Sequence, residues 1–184
     1  FDGAHAFLFT AVMQEDSIKG MFYSGKHYVD SLWVGTKNDD FELSDPYALT
    51  KLKPDAGPFQ FEFPGITEEL VKYPADKYTG KPLIIQIFGS WCPNCKDEAE
   101  FYADLYDQYH EEGLEIIGIG FERPEDLQGK KDRIKDFASS LNIPYEFCVG
   151  GSSSKDSANA AIPQLEHVMS FPTSVFIDRK GTIR

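Results

Sequence analysis

Basic charge is in short supply in this sequence: only 18 Lys and Arg stand against 30 Asp and Glu, a formal net charge of −12 at neutral pH. Nucleic acids are bound by exchanging counterions for a Lys/Arg surplus, so the imbalance excludes a nucleic-acid partner. It disfavours anionic membrane surfaces for the same reason. No run reaches the roughly 20 consecutive apolar residues that a spanning helix needs, so no membrane insertion is expected of these residues. Residues 1–13 lack the basic start of a signal peptide, and the sequence opens at Phe1 without an initiator Met, which leaves open a targeting segment ahead of it. Cysteine is scarce as well. Three in 184 residues do not make a disulfide scaffold. What is present is a composition 41% hydrophobic and 14% aromatic, enough to bury a core.

The first 40 residues alternate in short aromatic and β-branched runs, at 5–13, 18–23 and 28–36, separated by the turn-forming clusters Gln14-Glu15-Asp16-Ser17 and Ser24-Gly25-Lys26. This pattern predicts a three-stranded antiparallel meander over residues 1–40. Residues 41–58 carry Pro46, Pro54, Gly57 and Pro58 and read as a linker, placing the start of the main domain, 59–184, near Pro58. There Phe59-Gln60-Phe61-Glu62-Phe63 alternates as an edge-type strand, followed by a loop through Thr79-Gly80-Lys81-Pro82.

Beyond this point strands and helices alternate. Residues 83–88 are nearly unbroken apolar, as a strand buried on both faces must be. Ala99, Tyr102, Leu105, Tyr106 and Tyr109 recur at helical spacing, opposite Asp97, Glu100, Asp104, Asp107 and Glu111, and the helix stops at Gly113. A second buried strand at 114–121, a helix marked by Ile134, Phe137, Ala138 and Leu141, and strands at 145–149 and 173–177 follow. Gly150-Gly151-Ser152-Ser153-Ser154 reads as a surface loop opening a short helix over 157–167. The whole predicts an α/β domain with a parallel strand pair, a right-handed crossover and helices flanking the sheet. Reactive groups in such sheets sit at the carboxyl ends of strands. The segment leaving the first buried strand is Gly89-Ser90-Trp91-Cys92-Pro93-Asn94-Cys95.

Pro93 suits the first position of a helix, where its missing N–H would be unpaired in any case, which makes Cys92 the expected N-cap. A thiolate there faces unsatisfied backbone N–H groups and the positive end of the helix dipole, so ionisation is favoured. Cys92 is therefore expected to be charged and reachable. Cys95, nearly one turn on, brings its sulfur to the same side but deeper, so that a small disulfide can close and reopen. A zinc corner is the alternative for two cysteines at this spacing. Tetrahedral zinc needs four ligands, and Cys148 with His5, His27, His110 and His167 supplies no matching second pair. No metal and no cofactor is expected.

The residues Trp91-Cys92-Pro93-Asn94-Cys95-Lys96 and Phe171-Pro172-Thr173 together resemble the thioredoxin superfamily. More narrowly, residues 59–184 look like the TlpA/ResA-like thiol-disulfide oxidoreductases, from the phenylalanine-rich strand at 59–63, the Gly-Ser-Trp-Cys-x-x-Cys run, the extra helix before Phe171 and the strand Thr173-Ser174-Val175-Phe176-Ile177-Asp178. With its N-terminal β segment the chain is similar to envelope proteins of this group from Bacteroidetes. The resemblance implies a mixed thioredoxin-like sheet flanked by helices, and a thiol-disulfide oxidoreductase of the periplasm or cell envelope. Such a protein acts on partner-protein disulfides, as a reductant fed by an upstream electron donor. It implies that Cys92 and Cys95 are catalytic and that Pro172 is cis and faces Cys92. Trp91, Pro93, Asn94, Phe171 and Thr173 would meet the substrate. Glu98, three residues past Cys95, is implied to relay a proton to Cys95; as a helix-dipole partner it would need no such role. Gln86 stands where thioredoxin has a buried acid and, being unable to titrate, reads as an interior amide. Cys148 reads as a small core residue. Thioredoxin-like domains close with a further strand and helix, which this sequence, stopping at Arg184, is expected to lack.

Two other functions compete. A thiol peroxidase of related fold carries Thr three residues before the reactive Cys, where this sequence has Gly89. A non-enzymatic binding module would use Phe22, Tyr23, Tyr28 and Trp33 as its contact surface.

Overall fold

A computed structural model of the chain describes residues 8–23, 31–45 and 49–184. The chain forms two compact units, Phe1–Ser44 and Asp45–Arg184. In the first, β1 (Leu8–Gln14), β2 (Ser17–Tyr23) and β3 (Ser31–Thr36) make an antiparallel sheet in that order. Gln14 pairs with Ser17, leaving Glu15 and Asp16 as a two-residue hairpin, with Glu15 at φ 38°, the positive angle that tight hairpins demand. The aromatic residues do not share one surface. Register places Phe9 and Phe22 opposite each other and Trp33 opposite Gly20, while Tyr23 pairs with Leu8 on the other face. The Phe9 ring lies 4.8 Å from Phe22 and 6.4 Å from Trp33. Tyr28, the Ser24-Gly25-Lys26 turn, Pro46, His5 and His27 lie outside the described residues.

The second unit is built on a four-stranded sheet in the order β8-β7-β6-β9. Its strands are β6 (Leu83–Phe88), β7 (Glu115–Glu122), β8 (Glu146–Ser152) and β9 (Thr173–Ile177). β6, β7 and β8 are parallel and β9 runs antiparallel to β6. The parallel crossovers are α1 (Pro93–Tyr109) and α2 (Leu127–Ser140), and α3 (Lys155–Ala161) follows β8. All six residues of β6 are buried. Their alternation splits the core into two layers: Leu83, Ile85 and Ile87 join Ile117, Ile119, Phe121, Ile162 and Val175, while Ile84 and Phe88 join Ala99, Tyr102, Ile134, Phe137 and Phe147. Each such side chain contributes on the order of 1.5–3 kcal/mol by leaving water, so the sheet is a rigid platform. Among the described residues no helix is long and apolar enough to cross a membrane.

Three local expectations need correction. The strand expected at 59–63 is β4 (Phe61–Pro64), and the stretch read as a loop contains its antiparallel partner β5 (Leu70–Tyr73); four residues are too short a window for alternation to register. Gly150, Gly151 and Ser152 are strand, not loop. A Cβ at Gly150 would lie 2.6 Å from Ile119 and from the Phe121 ring, so glycine here answers a close approach between β7 and β8. The helix expected over 157–167 ends at Ala161, because Pro163 has no N–H to continue it and crowds the preceding turn. Within the second unit, residues 51–53 are tied to 164–166 by hydrogen bonds from Lys53 N–H to the Gln164 carbonyl (2.9 Å) and from Glu166 N–H to the Lys51 carbonyl (2.7 Å).

Candidate active site

Cys92 and Cys95 arise where β6 ends and α1 begins. Cys92 is the N-cap with extended backbone (φ −99°, ψ 116°), and Pro93 opens the helix. β9 starts beside them because Thr173 pairs with Ile87, which brings the preceding Phe171-Pro172 segment against the CxxC loop. The Phe171–Pro172 peptide is cis. The Phe171 carbonyl lies 3.5 Å from Cys92 Sγ, a thiol-to-carbonyl contact. Thr173 is half-buried and its hydroxyl donates to the Ser170 carbonyl at 2.8 Å.

The two sulfurs differ as the sequence suggests, with one correction. Cys95 is wholly buried, but Cys92 is also largely enclosed, keeping 7% of its surface. The enclosure comes from the Phe171 carbonyl contact and from packing beside Trp91 and Phe171. Access to Cys92 is therefore a narrow window rather than an open face. Its pKa is pulled from 9.0 to about 7, first by the thiol of Cys95 donating to the Cys92 thiolate and then by the N–H groups of Cys95 and Asn94; burial and the charge of Glu98 act the other way. The sequence reading put the helix-mouth amides first, whereas the neighbouring thiol comes first. Cys95 is pushed up, chiefly because its proton is held by Cys92 and because it is buried. The pair is thus one thiolate leaning on one thiol. Cys148 is fully enclosed and its pKa is driven up by burial, so it offers no third thiolate.

Behind the dithiol lies a polar chain on the helix side of β6. Gln86, wholly buried, donates from Nε2 to the Cys95 carbonyl (3.3 Å) and to Glu98 Oε2 (2.9 Å), and its Oε1 accepts from Tyr145 OH (3.2 Å). The half-buried Glu98 also accepts from Ser174 Oγ at 3.1 Å, and Ser174 in turn accepts from Tyr102 OH at 2.9 Å. Burial holds Tyr102 up at about 12 and raises Tyr145 as well, so both phenols stay protonated donors at neutral pH. Gln86 is a satisfied interior amide that joins the Cys95 backbone to Glu98. Among the described residues no hydrogen bond runs directly from Glu98 to Cys95 Sγ.

Trp91 is half-buried and fixed on three sides. Its indole N–H donates to the Phe121 carbonyl (2.8 Å), its ring meets Phe171 edge-on (5.5 Å), and the Arg123 guanidinium lies 5.5 Å from the ring centroid. Pro93 is half-buried and Asn94 exposed. The indole also accounts for Gly89, since a Cβ there would stand 2.4 Å from Trp91 Nε1. Among the described residues no group of three or more His, Cys, Asp or Glu could hold a metal ion. Sequence reasoning missed Ser90 and Glu122. Glu122 ends β7 with 1% of its surface exposed, and its carboxylate accepts from Ser90 N–H and Ser90 Oγ, both at 2.7 Å. An acid closing the apolar run Ile116–Phe121 was the available signal. Tyr102 and Tyr145 carry no sequence signal beyond their places in apolar patterns.

The chain is similar to several known proteins. The chain is 24% identical over 106 residues to thiol-disulfide oxidoreductase ResA of Bacillus thuringiensis subsp. konkukian, covering 58% of this chain and 54% of that one. It is 26% identical over 106 residues to sporulation thiol-disulfide oxidoreductase A of Bacillus subtilis, covering 56% and 57%. The chain thus spans about half the length of these curated relatives. Among solved structures, a DsbF homologue from Corynebacterium diphtheriae superposes with a TM-score of 0.55 at 18% identity, covering 78% of this chain and 86% of that one, which establishes the shared thioredoxin-like fold. With a family model matched across residues 55–184, the chain belongs to the AhpC/TSA family.

Proposed function

We propose that this chain is a thiol-disulfide oxidoreductase of the cell envelope that reduces disulfides of partner proteins and is itself re-reduced by an upstream electron donor. The observation that carries the reading is the unequal thiol pair at the start of α1, with a depressed Cys92 beside the Phe171 carbonyl and a protonated Cys95 beneath it.

The Cys92 thiolate attacks one sulfur of the partner disulfide. A bond forms between Cys92 and that sulfur as the partner's S–S bond breaks, and the second partner sulfur leaves as a thiolate that takes up a proton. Once Cys92 is bonded, Cys95 loses the thiolate to which it donated, which is the foremost reason its proton was held. Cys95 then gives up that proton and attacks Cys92 Sγ. The Cys92–Cys95 disulfide closes and the first partner sulfur is released. Two electrons have passed to the partner, whose two released thiolates take up one proton from solvent and the one that Cys95 gave up. Glu98 takes the Cys95 proton in this reading, supported by its place three residues on and by the Gln86 amide that ties it to the Cys95 carbonyl. Trp91, Pro93, Asn94, Phe171, Pro172 and Thr173 form the rim the partner meets. A peroxidase is disfavoured by Gly89, since the threonine such enzymes carry would be driven into the anchored indole.

The test is the reduction potential of the Cys92/Cys95 pair, equilibrated against glutathione and followed by alkylation. A reductant is expected below about −200 mV. A value near −120 mV, that of a strong oxidant, would contradict the direction of flow.

A further inference from the structure

Next to the dithiol lies a cleft of about 480 Å³ lined by Ser90, Trp91, Glu122, Arg123, Pro124 and Arg133. Its floor and rim differ in charge. The Glu122 carboxylate is 1% exposed and already accepts from both donors of Ser90, so its oxygens are engaged on the cleft floor. Arg123 and Arg133 are exposed, and among the described residues neither forms an ion pair. Both guanidiniums act on the buried Glu122 carboxylate, whose pKa they lower, so the opening gathers two positive charges against one negative in a chain of net charge −12. Guanidinium favours planar two-oxygen anions. The indole of Trp91 is the shared wall: Arg123 lies over its ring, and Phe171, whose carbonyl meets Cys92, packs against it edge-on.

We propose that this cleft is a specificity subsite for a carboxylate side chain of the partner protein, an Asp or Glu close in sequence to the cysteine that Cys92 attacks. The assignment rests on the disulfide-exchange reading above. Adjacent Cα atoms are about 3.8 Å apart, so Ser90 and Cys92 are separated by no more than about 7.6 Å, the span of about two extended residues. With Ser90 on the cleft wall this close to Cys92, the peptides below place the acid two residues from the partner's cysteine. The long-range field of the protein would favour a cationic peptide, so a preference for an anionic one must come from the cleft.

The experiment uses short peptides carrying one cysteine as a mixed disulfide with 2-mercaptoethanol, with Glu, Gln or Lys two residues before or after it. Rates of reduction by the reduced protein are each divided by the same protein's rate toward 2-hydroxyethyl disulfide, a neutral small substrate. At low salt the Glu peptide is expected to react about threefold to fivefold faster than the Gln peptide, the worth of an exposed ion pair. The Lys peptide is expected to be slowest. The Glu preference is expected to vanish in the Arg123→Gln, Arg133→Gln double variant and to shrink with added salt. Equal rates for the three peptides, or a Glu preference that survives in the double variant, would overturn the subsite. Failure to reduce 2-hydroxyethyl disulfide at all would instead sink the dithiol reading, and the subsite with it.

Discussion

Replacing Cys95 with alanine is expected to return much of the Cys92 pKa toward the ordinary thiol value. The fall from 9.0 to about 7 corresponds to about 2.7 kcal/mol of preference for the thiolate, at about 1.36 kcal/mol for each tenfold change. The Cys95 thiol is its foremost source, and a hydrogen bond to a charged acceptor contributes about 1.5–3 kcal/mol. Cys95→Ala removes that donor and leaves the Asn94 and residue-95 amides in place, so the midpoint is expected at about 8 or higher. At pH 7 the thiolate fraction then falls from about one half to below about one tenth, while each remaining thiolate becomes roughly threefold more nucleophilic through its higher basicity. Toward a neutral disulfide the rate at pH 7 is thus expected to drop only about twofold, whereas the high-pH plateau rises about threefold. Cys95→Ser retains a hydroxyl donor and is expected to titrate close to the wild type. The assay is thiolate absorbance at 240 nm against pH, with exchange rates measured in parallel. The enclosed Cys148, whose pKa is driven up by burial, does not interfere. If the alanine variant also titrates near 7, the helix mouth alone ionises Cys92 and the reasoning about the paired thiol is refuted.

Two further outcomes follow from the buried polar groups. Gln86→Ala leaves Glu98 and Tyr145 each without a partner they now have and is expected to cost about 1–3 kcal/mol in urea unfolding of the reduced protein; an unchanged midpoint would show the amide to be dispensable. Glu122 has its pKa raised above 4.5, mainly by burial, so its folded state favours the proton. The stability this adds is full below the unfolded value of 4.5 and is lost as pH rises through the folded pKa. Glu122→Gln does not titrate, and its stability relative to wild type is expected to climb from pH 4.5 upward and then level off. A difference independent of pH would contradict the burial argument.

Where the Cys92–Cys95 pair sits in the fold was legible in the sequence because its signals are local. The nearly unbroken apolar run at 83–88 announced a strand buried on both faces, and Pro93 announced a helix start with Cys92 as its N-cap. The packing of Phe171-Pro172 against that loop is not local. It depends on β9 running antiparallel beside β6, and only the family resemblance anticipated it. Sequence reading failed where one tertiary contact overrode composition: Gly150 and Gly151 look like loop until the Phe121 ring demands space beside them. The near-complete enclosure of Cys92 was missed for the same reason, since Phe171, which covers it together with Trp91, comes from 79 residues away. Glu98 stood out by its spacing from Cys95, but its partners Gln86, Ser174 and Tyr102 come from three different elements. No periodicity on one strand could assemble that set.

The division of labour between the two sulfurs is most directly measured by trapping. Reduced Cys95→Ser and Cys92→Ser variants are mixed with a disulfide-bonded protein substrate, quenched with acid and resolved by mass. Cys95→Ser is expected to accumulate one covalent partner per chain, attached at residue 92, and Cys92→Ser none. Adducts at residue 95 in the second variant, or none in the first, would contradict the assignment of Cys92 as the attacking thiolate.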